Sequence, residues 1–205
     1  MINFLRTNID HSQRMHRIAI RGTIVGAIAL FGGLLLTWLL RIVYTIWQVH
    51  PHFFADTIFV SSSDFTGWLF YSAHFVGLSG GNGRVFGENL RVVSPQVDDP
   101  IALSFFLVPI GMLVLAGMAM ATQRESSASA VQEIGIAGLS ISLGYGLIAL
   151  VGTFAVSVTV QPIGADPTHT LRPDLGYALV LMGLLYPIVF ATMGYIGGRW
   201  LDARR

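Results

Sequence analysis

Between Gly77 and Gly81 the sequence reads G-L-S-G-G, and His74 stands five residues ahead of Ser79. A serine between glycines with an imidazole close by is the composition of a nucleophile elbow, where a sharp strand-to-helix turn presents the hydroxyl to a base. A second group, His50-Pro51-His52, brings two imidazoles to a spacing that suits a metal ion. Neither set is complete. Ser79 follows an aromatic run and precedes Gly80-Gly81-Asn82-Gly83, a loop composition in place of strand, turn and helix. Two imidazoles fall short of a zinc shell unless His74, His169 or a carboxylate converges on them. The chain has no cysteine, which removes thiolate ligands, cysteine nucleophiles and disulfides together. The sequence therefore predicts no catalytic residue, no metal site and no cofactor.

The elements that would hold these residues are membrane helices. Of 205 residues, 53% are hydrophobic and 11% charged, against about 25% charged in soluble domains. The net charge of +1 gives no basis for binding nucleic acid. A spanning helix needs about 20 predominantly apolar residues. Four stretches qualify: residues 22–47, 101–121, 134–158 and 175–198. The predicted fold class is an all-α membrane protein, one domain over 1–205, with four transmembrane helices. The apolar core of the first span exceeds the 7–15 residues of a signal peptide, and Trp38, Arg41, Tyr44 and Trp47 follow it as interfacial anchors.

All twelve basic residues are arginine. With four spans, Arg6, Arg14, Arg17, Arg21, Arg124, Arg199, Arg204 and Arg205 fall on one side, and Arg41, Arg84, Arg91 and Arg172 on the other. The positive-inside rule then puts both termini, including the segment 1–21, in the cytoplasm. The loop at 158–174 carries Pro162, Pro167 and Pro173 and reads as irregular.

The largest external segment is 48–100. Within it "FTGWLFYSAHFVGL", about 65–78, is too short to span. It suits a short external helix that lies in the interface or is re-entrant, capped by Ser63 or Asp64 and ended by Ser79-Gly80. Trp68, Tyr71 and His74 recur at a spacing of three and share one face, a candidate lid or partner surface.

In lipid, helices associate through close packing and polar contacts, so small residues mark contact faces. The third span carries Gly135, Gly138, Ser142, Gly146, Ala149 and Gly152 on one stripe. Such a stripe serves packing within the chain or a homodimer. Pro109 and Pro187 interrupt their helices and free the carbonyls of Phe105 and Gly183. Pro109, Gly138, Ser142, Gly146 and Pro187 are thus the candidate helix-packing or path-lining residues. No ionisable residue lies near a span centre, which argues against a charged ion pathway. Glu133, at a span end, has Arg21 or Arg124 as an expected partner.

The succession "RIAIRGTIVGAIALFGGLLLTWLL", "WLFYSAHFVGL", a proline-centred span, a glycine-rich span and "LLYPIVFATMGYIGG" resembles a family of small haloarchaeal integral membrane proteins of unknown function, to which a transporter-like role is loosely attached. The resemblance runs from about Arg17 to Gly198, and its most specific piece is Phe70–Val76. It implies an archaeal plasma membrane and brings no catalytic residue. Two functions follow as expectations: a small transporter or permease component, or a non-catalytic accessory subunit of a larger membrane complex. The expected partners are the lipid bilayer and either a second copy or another membrane protein.

Overall fold

The computed structural model describes residues 2–46, 61–79, 100–122, 130–160 and 169–204. Five helices appear in order: α1 (Ile2–Ile46), α2 (Ser62–Ser72), α3 (Pro100–Ala121), α4 (Ala130–Ala155) and α5 (Leu175–Asp202). All but α2 are long and apolar enough to cross a membrane. Residues 2–21, free of glycine and proline, continue the first span as one helix of 45 residues, ~68 Å long at 1.5 Å per residue, about twice what a bilayer core requires.

The spans form a ring in the order α1, α3, α5, α4. α1 packs on α4 and α3; α5 packs on α4 along its first half and on α3 from Pro187 onward. Backbones approach closely where side chains are missing. A Cβ at Gly26 would collide with the Ile141 carbonyl, and one at Gly144 with that of Thr23, so α1 and α4 cross nearly in backbone contact. The small-residue stripe of α4 is used inside the chain, toward α5 and α2: a Cβ at Gly146 would lie 2.8 Å from Gly183 Cα. Large apolar side chains point outward on every span, among them Ile28, Leu107, Leu143 and Val189. Such a surface suits lipid, which satisfies apolar side chains without burying them in protein.

One end of the bundle carries a three-stranded antiparallel sheet of β1 (Leu78–Ser79), β2 (Val158–Val160) and β3 (His169–Pro173), with β3 central. Val158 pairs with Leu171, and Ser79 with Arg172. The loop expected to be irregular therefore has paired strands at its two ends. Pro173 closes β3 at its last residue. The prolines at 162 and 167, Trp47, His50, His52, Arg124 and the glycines after Ser79 lie outside the described residues. The opposite end of the bundle, where α1 begins and α5 finishes, is called the terminal end below.

Candidate functional site: a re-entrant helix ending on a buried histidine

The site begins at the sheet end, where Ser61 caps α2. Its Oγ accepts the Asp64 N–H at 3.1 Å. The cap thus falls earlier than Ser63 or Asp64, because Ser61 is the residue that keeps an extended backbone there. Arg41, at the end of α1, donates from Nη1 to Thr66 Oγ1 at 2.9 Å and lies over the Phe65 ring. A cation near the membrane surface thereby ties α2 to the first span.

From this anchorage α2 runs into the bundle, and its bonds to α4 record the depth. Trp68 Nε1 donates to the Val156 carbonyl at 2.8 Å. One turn on, Tyr71 Oη donates to the Ala149 carbonyl. His74 then meets Tyr145, its Nε2 2.7 Å from the Tyr145 hydroxyl. From Val156 to Tyr145 α4 rises ~16 Å, about half of a 30 Å hydrocarbon core. The segment thus enters between the spans and ends beside the middle of α4.

The stop has a local cause. Helix α2 ends at Ser72, well before the expected end at Ser79-Gly80. The His74 and Phe75 N–H groups tighten onto Tyr71 and Ser72, which leaves the Phe70 carbonyl without a backbone donor from this turn. The His74 ring supplies one, with Nδ1 2.8 Å from that carbonyl. Phe75 adopts φ 61, the left-handed conformation that reverses the chain. The chain then returns to β1, where the Asp174 N–H donates to the Gly77 carbonyl at 2.9 Å.

These contacts assign the histidine's proton. A carbonyl only accepts, so Nδ1 carries the hydrogen toward Phe70. In the neutral ring Nε2 is then an acceptor, and Tyr145 donates to it. The Tyr186 ring lies 5.0 Å from the imidazole and Phe70 4.8 Å, closing an aromatic cage. His74 has no exposed surface.

Trp68, Tyr71 and His74 do share one face, but all three are buried in the bundle. The partner-surface expectation is corrected: in a helix that enters the bundle, the polar aromatic face turns to the carbonyls and hydroxyl of α4. The segment after α2 also brings into the bundle an imidazole that the spans themselves lack.

Around Pro187, α5 unwinds into wide π-type turns over Ala178–Leu185 and Pro187–Ala191, with Tyr186 between them. Ser142 Oγ donates to the Gly183 carbonyl, one turn before Pro187. Gly138 faces Thr192, whose Oγ1 would lie 3.0 Å from a Cβ there. Gly138, Ser142, Gly146 and the Gly183 carbonyl are therefore gathered along the α4–α5 seam. Pro109 is buried within α3, which meets α5 from Pro187 onward.

Toward the terminal end the seam closes on Glu133, a buried carboxylate. Tyr195 Oη donates to its Oε2 at 3.3 Å, and Arg199 Nη1 lies 3.8 Å away. Arg199 joins as a partner because α5 continues to Asp202, further than the span 175–198 suggests. Tyr145 was legible only as one hydroxyl among several. Its setting between Gly144 and Gly146 is the signal that a large knob fills the space two small neighbours leave.

Ser79 lies in β1, its Oγ donating to the Arg172 carbonyl at 3.4 Å. That is a strand position, with the hydroxyl turned to a sheet partner. Among the described residues no group of histidines and carboxylates could hold a metal ion.

Together these features define a four-span helical membrane protein whose bundle takes in a short helix, α2, between its spans. The chain belongs to a family of unknown function, DUF7978, whose model matches residues 6–201. No curated protein and no solved structure matches it.

Proposed function

We propose that this protein is a small transport component of the cell membrane, with both termini cytoplasmic and α2 acting as the plug of its pathway. One observation carries the reading: a half-helix ends at mid-depth on a buried histidine beside a span broken by proline. Re-entrant and broken helices are the means by which membrane carriers bring polar groups to the midplane. An ionisable side chain at that depth points to function, because it is expensive to keep there. The arginine asymmetry supports the orientation. The reading assigns no enzymatic step, in keeping with the strand position of Ser79.

The test is permeability. Liposomes containing the purified full-length protein are challenged osmotically with small neutral solutes and, separately, with proton and alkali-metal gradients. Raised permeability to any of these, increased further by Trp68→Ala, supports the plug. Permeability equal to protein-free liposomes throughout defeats it.

A second reading, the non-catalytic accessory subunit, is favoured by the observation that the polar tips of Trp68, Tyr71 and His74 are all satisfied inside the chain. A second, stoichiometric polypeptide in the native complex extracted with mild detergent would support it.

A further inference from the structure

We propose that the outer face of α1 at the terminal end binds an anionic phospholipid. Arg17 and Arg21 take the headgroup phosphate, and the apolar ridge that continues from them takes an acyl chain. This goes beyond the transport reading and stands without it.

The sequence sets the level of the site. Between Arg21 and Arg41 the first span carries no charged residue. The two arginines are twenty residues apart on one helix, which is ~30 Å, the thickness of a hydrocarbon core. Each therefore stands at one edge of that core, where a guanidinium reaches the headgroup layer. Arg17 lies one turn beyond Arg21, ~6 Å further out.

The two edges are built differently. At the sheet end Arg41 is part-buried, donates to Thr66 and lies over Phe65. Arg172, on β3, lies over the Phe154 ring. Both are turned to groups of the protein. At the terminal end Arg17 and Arg21 are exposed.

They also stand on the lipid-facing side of α1. Arg17, Arg21, Ile24, Ile28, Phe31 and Leu35 recur at spacings of four and three, which is one stripe along a helix. The four apolar members are each more than half exposed. The opposite stripe, with Gly22, Gly26 and Ala29, is the one packed into the bundle. The described carboxylates of this end lie elsewhere. Glu133 is buried on α4 against Tyr195 and Arg199, and Asp202 belongs to α5, across the ring from α1.

A guanidinium has several N–H donors, so a contact within the protein leaves others for a phosphate. Two guanidiniums one turn apart can bracket one phosphate group through charge-assisted bonds. A soluble anion would use only that part of the surface. An anionic phospholipid uses all of it, with its phosphate at the arginines and an acyl chain along Ile24 and Ile28.

The experiment reconstitutes the purified full-length chain in phosphatidylcholine liposomes. These carry a trace of spin-labelled phosphatidylglycerol or, in parallel, of spin-labelled phosphatidylcholine. The motionally restricted part of each spectrum gives that lipid's relative affinity for the protein surface. Wild type should favour phosphatidylglycerol by about fivefold, the order expected of one basic residue at an anionic surface. Raised salt should reduce the preference. Arg17→Gln combined with Arg21→Gln should abolish it, and Arg17→Lys combined with Arg21→Lys should keep most of it. Arg172→Gln, at the other edge, should leave it unchanged. A preference that survives the glutamine pair overturns the assignment to this ridge. A preference insensitive to salt overturns its ionic basis, and that arm needs no variant. Displacement by soluble glycerol phosphate, beyond chloride of equal ionic strength, overturns the lipid in favour of a free phosphate. No preference in the wild type overturns the site, and Ile28→Cys chains that cross-link in the same liposomes then give the ridge to a second copy.

Discussion

His74 and Tyr145 stand 71 residues apart in the chain, and their polar atoms meet 2.7 Å apart inside the bundle. The contact fastens the tip of a re-entrant helix to the centre of a spanning one. Tyr145→Phe removes the donor and should lower stability by about 0.6–1.7 kcal/mol, the range of interhelical bonds in membranes. His74→Ala leaves both the Tyr145 hydroxyl and the Phe70 carbonyl unpaired, so it should cost about 2–5 kcal/mol. Unfolding of the detergent-solubilised protein checks both. A double variant no worse than His74→Ala alone is expected, since the single change already empties the contact.

The Gly183 carbonyl links a proline to a serine. Ser142→Ala should cost about 0.6–1.7 kcal/mol, because it removes an interhelical bond to that carbonyl. A Pro187→Ala background lets α5 regain α-helical turns, in which the residue-187 N–H serves the same carbonyl, so the serine should matter much less. Equal costs in the two backgrounds, measured by thermal unfolding, would show that the serine acts elsewhere.

Close crossing of α1 and α4 should make Gly144→Val severely destabilising, because even a Cβ collides with the Thr23 carbonyl. Gly135→Ala is the control, since nothing lies within 4 Å of a Cβ there, and glycine-to-alanine inside a helix is favourable by about 1 kcal/mol. Expression and detergent monodispersity should separate the two sharply.

A chain without cysteine is its own labelling background. Ser63→Cys, on the exposed start of α2, should react with a membrane-impermeant maleimide in intact cells. Ala203→Cys, at the end of α5, should react only after the membrane is opened. Ala73→Cys, fully buried, should stay unlabelled until Trp68→Ala releases the plug. Labelling of position 203 alone in intact cells would reverse the proposed orientation.

The spans were legible in the sequence because lipid imposes a local requirement: each spanning segment must be long, apolar and internally hydrogen-bonded, whatever its neighbours. Composition alone therefore revealed four helices and the short aromatic one. The proline at 187 also announced an interruption of its helix, since the missing N–H acts within one turn. What surrounded these features was not local. Whether "FTGWLFYSAHFVGL" lay on the membrane or entered it depended on carbonyls of Ala149 and Val156 and on the Tyr145 hydroxyl, far along the chain. The strands at 158–160 and 169–173 needed each other and Leu78–Ser79 to pair. Glu133 found Tyr195 and Arg199 because α4 and α5 pack side by side. The sequence by itself determined that the chain enters the membrane and where it crosses. Only the tertiary structure decided that a histidine sits at its centre, because that position is fixed by hydrogen bonds between helices.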